Sequence, residues 1–226
     1  ERARFVAGER ARDLALVGEA YASGLATGTS DPLNAEALLR EAAERGSMRG
    51  AVSLAKVLAG GGLGDRYAEA LEWLRKAALE GEPGAIKALA ELADRKAGDD
   101  RSFEMTLNLL KGLADDGNAE AMFAYGSILS SLEGETRQSG ISYLERAATG
   151  RHVEAMKTLA QLYASGLVGN APADQSTKWT RAAAELGDPE AMFRYALALD
   201  LGFGVTMDHA AANAWHQKAR SHGYIN

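Results

Sequence analysis

The stretch EAMFRYALALDLGFGV, residues 190–205, opens on a triplet that the chain uses three times. Glu120-Ala121-Met122 and Glu154-Ala155-Met156 precede Glu190-Ala191-Met192, at separations of 34 and then 36 residues. Each triplet leads into an apolar stretch. In the third, Ala191, Tyr195, Ala196 and Leu199 stand at offsets 0, 4, 5 and 8, which share one face of a helix with 3.6 residues per turn. A phrase that returns at this interval marks a repeated supersecondary unit rather than one globular core.

Glycines that follow charged or Ala-rich stretches have the same rhythm: Gly8, Gly46, Gly81, Gly117, Gly150, Gly187 and Gly223, at intervals of 38, 35, 36, 33, 37 and 36. Each is read as a helix stop in the left-handed conformation. Two helices, A and B, fit between successive stops. Helix A starts its stripe on a small residue (Gly50, Ala85, Ala121, Ala155, Ala191) and carries Leu58, Ala93, Leu129, Tyr163 and Leu199 eight residues later. Asp13 and Tyr21 take those places in the first repeat. Helix B has an anchor row of Leu38, Trp73, Leu109, Tyr143, Trp179 and Trp215, with Ala35, Ala70, Thr106, Gly140, Ser176 and Ala212 three residues before. A small row lets two helices approach and a large row fills the groove between them. One pair cannot bury both faces alone, so successive pairs stack. The expected repeats are 9–46, 47–81, 82–117, 118–150, 151–187 and 188–223, with 1–8 as the tail of a preceding helix.

The bulk numbers agree with an all-α chain. Of 226 residues, 46% are hydrophobic and 25% charged, with Ala, Leu, Glu and Arg dominant and only four prolines. Pro32, Pro83, Pro172 and Pro189 fall in loops or at helix starts, and Asp188-Pro189-Glu190 reads as a cap, a fixed φ and a carboxylate suited to the helix dipole. Asp208 is placed to cap the last helix B. Only the joints around Arg95 to Arg101 and Leu132 to Gln138 lack a Gly-rich turn. A net charge of −6 and a pI near 5.3, with no basic run, argue against a nucleic-acid partner. No apolar run reaches the ~18 residues of a membrane span. Glu1 opens the chain without a charged-then-apolar leader. With no cysteine, thiol catalysis, disulfides and Cys-bound metal are excluded.

Tyr-Ala-Ser-Gly at 21–24 and 163–166, Gly-Phe-Gly-Val at 202–205, and Ala-x-x-Trp followed by Lys-Ala before Gly resemble the Sel1-like repeat. ALALDLGFGVTMDHAAANAWHQKARSHG is the strongest instance, and ALEWLRKAALEG at 70–81 is a strong helix B. The resemblance covers nearly the whole chain. It implies an α/α superhelical solenoid of about six helix pairs, related to tetratricopeptide arrays, with the A helices on the inner side. It also implies an adaptor role without catalysis, and for many bacterial members an envelope or periplasmic setting connected with exopolysaccharide export. Cysteine-rich relatives are connected with β-lactam binding or hydrolysis, but their paired cysteines are missing here.

Chemical motifs are sparse. GGGLG at 60–64 stands between two helices, the wrong context for a phosphate cradle, and reads as a turn. The histidines are His152, His209, His216 and His222. His209 and His216 sit seven apart, about 10 Å along a helix, so with Asp208 they are too far apart to share one ion without help from another helix, and a solvated or packing role is expected. Asp99-Asp100 and Asp115-Asp116 read as solvated helix ends. The expectation is no catalytic residue, no metal and no cofactor.

What remains is a surface. If offsets 0, 4, 5 and 8 of helix A are core, then offsets 2, 3 and 6 point away from it: Val52, Ser53 and Lys56; Lys87, Ala88 and Glu91; Phe123, Ala124 and Ser127; Lys157, Thr158 and Gln161; Phe193, Arg194 and Leu197. Phe123, Phe193 and Leu197 beside Lys157, Gln161 and Arg194 make a candidate groove for a peptide or a partner helix, and inter-repeat packing is the competing role for the same apolar side chains. Trp73, Tyr143, Trp179, Trp215, Tyr163 and Tyr195 are assigned to repeat packing. The expected function is a protein-binding scaffold. Its rivals are a β-lactam-related hydrolase or ligand binder, which calls for a closed pocket with perturbed titratable groups, and a structural segment of a longer membrane-anchored or polar-localised protein.

Overall fold

The computed structural model describes residues 2–60, 65–94, 100–168, 172 and 174–224. These form twelve helices: α1 (Arg2–Ser23), α2 (Pro32–Glu44), α3 (Met48–Gly60), α4 (Asp65–Leu79), α5 (Pro83–Asp94), α6 (Asp100–Asp115), α7 (Ala119–Ser130), α8 (Glu135–Thr149), α9 (Val153–Ala164), α10 (Asp174–Glu185), α11 (Pro189–Leu201) and α12 (His209–Ser221). No strand occurs among the described residues. The fold is all-α and helical-repeat in kind. The chain gathers into two compact units, Glu1–Gly112 and Leu113–Asn226, whose boundary falls inside α6.

Within each unit, odd-numbered helices carry the A stripe and even-numbered ones the B stripe. Offsets 0, 4, 5 and 8 are buried in α3 (Gly50, Leu54, Ala55, Leu58) and in α11 (Ala191, Tyr195, Ala196, Leu199). The small row of helix B is buried as well: Ala35, Ala70, Thr106, Gly140 and Ala212. At Gly140 the reason is plain. A methyl group there would stand 2.5 Å from the Ser130 nitrogen and 2.7 Å from the Gly126 oxygen, so α7 and α8 cross backbone against backbone.

The aromatic row needs a correction. The fully buried B positions are one residue later, Leu39, Leu74, Leu110 and Leu144. Trp73, Tyr143 and Trp215 are only half-buried, and a basic side chain three residues on covers each ring: Lys76, Arg146 and Lys218. The long apolar stems of those cations shield the aromatic face while the charge stays wet. Where the deep leucine is replaced by Thr180, the neighbouring Trp179 sinks instead, to 9% exposure.

Helix punctuation follows hydrogen-bond supply. Asp31, Asn118, Asp188 and Asp208 accept from the backbone N–H three residues on, filling a donor that the first turn leaves open. His152 does the same through Nδ1, 3.2 Å from the Ala155 nitrogen. Each B helix ends in a double hydrogen bond, as where Gly187 N–H meets Ala184 O and Asp188 N–H meets Ala183 O. Gly187 takes φ +101° in that turn.

Two of the expected glycine stops are not there. α1 runs from Arg2 to Ser23 through Gly8, so residues 1–8 are not the end of a separate helix among the described positions. An interior glycine costs a helix only about 1 kcal/mol relative to alanine, which good helix formers on both sides carry. Gly150 has φ −74°, and the left-handed place falls to Arg151 at φ +68°. In α1 from residue 9 on, Asp13 is exposed and the buried residues are Ala11, Ala15 and Gly18. An unpaired carboxylate stays in water, so the small residues turn inward in its place. The GGGLG run beyond Gly60 and the joint at 95–99 lie outside the described residues.

Candidate interaction site

The A-helix positions expected to point away from the core do not form one free surface. Val52, Ala88 and Ala124 are buried. The offset-2 residues of the second unit are joints between successive helices. Phe123 of α7 stacks on His152, the cap of α9, with ring centroids 4.7 Å apart. Phe193 of α11 stacks at 4.8 Å on Tyr224, just past α12, and also meets His216. Lys157 of α9 reaches Asp188 and Glu190 at the start of α11, at 3.5 and 3.3 Å, and Glu154 at 3.3 Å. Arg194 pairs with Glu190 at 2.8 Å. Gln161 and Leu197 are exposed.

These contacts set the local electrostatics. Burial alone would lower Lys157, but Asp188, Glu154 and Glu190 outweigh it and hold its ammonium above the ordinary range. Burial would likewise raise Glu190, yet Lys157 and Arg194 keep it below the usual carboxylate value. His152 accepts through Nδ1 in its cap, so Nε2 carries the hydrogen that it donates to Glu120 at 2.9 Å. The depression left beside Lys157, Gln161 and Arg194 measures only about 20 Å³.

Asp200 holds both helical histidines, His209 at 3.0 Å and His216 at 3.3 Å, and these contacts keep its carboxyl low. Asp208 is absent from this group because it caps α12. Among the described residues no cluster of three or more His, Asp or Glu is arranged to hold a metal ion, and no helix is long and apolar enough to cross a membrane. Tyr163, half-buried and donating to Glu145 at 3.0 Å, is pushed up to about 12 first by burial and then by that carboxylate. That phenol stays protonated at neutral pH.

Room for a partner lies in the first unit. An open cavity of about 630 Å³ is framed by α1, α2, α3 and the start of α4. Its apolar lining comes from Ala22, Pro32, Leu33 and Val57. Leu33 is 79% exposed there. Ser23, Ser30 and Ser53 line it, and Glu19, Glu36, Lys56 and Arg66 form its rim. The rim charges are tied down. Arg49 and Ser53 donate to Glu19 at 2.5 to 2.9 Å, Arg66 and Arg40 to Glu36 at 2.6 and 3.1 Å, and Lys56 meets Glu91 at 3.1 Å. Arg40 also grips Glu69. Burial would raise Glu19, but the three hydrogen bonds it accepts from Arg49 and Ser53 leave it below the ordinary range.

Reading single helices missed this cavity because it is assembled from four of them. One signal was present: Leu33 stands five before its helix-B anchor, where later repeats have Ala68, Glu104, Gln138, Asp174 and Ala210.

Comparison with known proteins places the chain among helical-repeat proteins. The family model described as Sel1 repeat matches residues 11–47, 53–82, 119–152, 153–188 and 189–224. Chitin synthase regulatory factor 3 of Schizosaccharomyces pombe is 28% identical over an alignment of 216 residues, which covers 88% of this chain and 23% of that protein. A solved Sel1 repeat protein from Oxalobacter formigenes matches with a TM-score of 0.59 at 25% identity, over 99% of this chain and 66% of its own. A protective antigen of uropathogenic Escherichia coli displaying an SLR fold matches with a TM-score of 0.58 at 25% identity, over 95% of this chain and 46% of its own. The chain thus spans about a quarter of the curated relative.

Proposed function

Because the chain belongs to the Sel1 repeat family, whose members generally mediate protein–protein interaction, we propose that it is a binding scaffold that seats a partner protein in the open cavity of its first unit. The observation that carries this reading is the combination of about 630 Å³ of open space, an apolar lining and rim cations that are paired with neighbours yet half-exposed. Such a surface binds by area and shape. Ser53 donates to Glu19 at 2.8 Å in it, but Arg49 also holds that carboxyl below the ordinary range, which makes it a poor base for activating the nucleophile that a hydrolase of the β-lactam-related kind would need.

The setting we propose is a complex that regulates polysaccharide synthesis or export. The name of the yeast relative, a regulatory factor of chitin synthase, supports polysaccharide synthesis as the theme. A bacterial envelope or periplasmic location is our reading from the family resemblance. The test is site-specific photo-crosslinking in the native organism. A crosslinker at Leu33 is expected to capture a defined protein that the same group at exposed Arg181 does not. Equal capture at both positions would remove the cavity as the binding site.

A further inference from the structure

The rim of the first-unit cavity is uneven in what it offers a visitor, and the unevenness specifies the visitor's charge. Lys56 and Arg66 are the outer groups, with side chains 45% and 48% exposed. The carboxylates beneath are sunk, Glu19 at 25% and Glu36 at 22%. Hydrogen-bond capacity divides the same way. Glu19 already accepts from Arg49 and Ser53, and Glu36 from Arg40 and Arg66. Lys56 and Arg66 carry three and five N–H donors respectively, more than their contacts with Glu91 and Glu36 use. The larger share of the spare charged capacity on this rim is therefore donor capacity, beside a Leu33 that lies in the open. A chain with a net charge of −6 turns its cations outward here.

We propose that this cavity takes an acidic, apolar peptide segment of a partner protein. One or two large apolar side chains rest against Leu33 and Val57, and flanking Asp or Glu carboxylates accept from Lys56 and Arg66. A carboxylate suits both cations, through a point contact to the ammonium and a forked one to the guanidinium. A basic segment would instead meet the two exposed cations, a like-charge contact that selects against it. This inference rests on the binding-scaffold reading and adds the chemistry of the partner to it.

The experiment selects binders for the whole chain from a random-peptide phage library and measures the enriched peptides by fluorescence anisotropy. Peptides pairing Asp or Glu with Leu, Ile, Phe or Trp are expected. Replacing their acids by Asn or Gln, with the protein unchanged, should weaken binding about tenfold, and raising the salt should weaken the parent peptides in the same direction. Leu33→Asn should weaken them about tenfold too, with circular dichroism and Tm unchanged because the side chain is exposed. The double change Lys56→Gln with Arg66→Gln should remove the preference for acids. Basic or uncharged binders that still depend on Leu33 would overturn the acidic chemistry and leave the scaffold reading standing. Binders indifferent to Leu33→Asn, or no binders at all, would overturn both.

Discussion

The two units use the same repeat register and fill its inner row differently. In the second unit the joints between A helices are large: Phe123 on His152, Phe193 on Tyr224, and Lys157 within reach of three carboxylates. What is left beside them is about 20 Å³. In the first unit the corresponding ties are slender, Ser53 and Arg49 on Glu19 and Lys56 on Glu91, and about 630 Å³ stays open. The buried rows fix how helices stack, and the bulk placed on the inner row then decides whether a stack seals itself or receives something. That division leads to different sensitivities in the two units.

The largest contrast lies in the aromatic row. Trp179 is enclosed by the second unit's core, so Trp179→Ala should cost about 3–5 kcal/mol. Trp73 in the first unit is half-buried under Lys76, so Trp73→Ala should cost about 1–2 kcal/mol, in proportion to the apolar area it covers. The indole N–H of Trp179 has no acceptor among the described residues, so Trp179→Phe should recover most of the loss. Thermal and urea unfolding of the three variants would check this. Equal losses for the two Trp→Ala changes would erase the distinction.

Next come the close helix crossings. Gly140→Ala sets a methyl against the Ser130 and Gly126 backbone and should cost about 2–3 kcal/mol. Gly18→Ala in the first unit meets Leu39 Cγ at 2.7 Å, with the backbone nitrogen of Leu39 farther off at 3.3 Å, and part of its cost is offset by better helix propensity, leaving about 1–2 kcal/mol. Similar Tm losses in the two variants would mean that the α7–α8 crossing is looser than its geometry indicates.

How much of this was legible follows from the range over which each feature is determined. The stripe at offsets 0, 4, 5 and 8 was readable because burial follows a period set inside one helix, as in Ala191, Tyr195, Ala196 and Leu199. Phe123 and Phe193 were not assignable from their own helices, since the rings that cover them, His152 and Tyr224, stand about thirty residues on. The cavity was hidden for the same reason: Leu33 belongs to it only through the neighbouring α1 and α3. At Gly150 the signal was present in the spacing. Its neighbouring intervals of 33 and 37 become 34 and 36 when the stop is moved to Arg151, matching the separations of the Glu-Ala-Met triplets. That shift gives a prediction of its own. Arg151→Gly should raise stability by about 0.5–1 kcal/mol, because the left-handed conformation costs a side-chain-bearing residue about 1–2 kcal/mol, part of which glycine's greater unfolded freedom takes back. Gly187→Ala at the equivalent turn should lower it by about 1 kcal/mol. Differential scanning calorimetry separates the two signs, and an Arg151→Gly variant that melts lower would show that the arginine contributes something its backbone cost conceals.

The smallest effect concerns the slender ties of the first unit. Glu19 binds its proton less tightly when folded than when unfolded, since the hydrogen bonds from Arg49 and Ser53 outweigh the upward push of burial. The folded state therefore gains from the ionised carboxyl at every pH above the ordinary carboxylate range, and loses that gain as the pH falls through the lowered folded value. Arg49 is more than half exposed, so the tie is worth under about 1 kcal/mol and weakens in salt. Glu19→Gln removes the titrating group. Its Tm should lie slightly below that of the unaltered protein at neutral pH, and the gap should close on acidification below the normal glutamate range. The second unit supplies the control: Phe123→Leu removes the stack on His152 without removing a carboxylate, so its deficit should not close in the same acid window. If the Glu19→Gln gap stayed constant from neutral pH into that window, the first unit would be held by packing as the second is, and the contrast between slender and bulky joints would lose its energetic meaning.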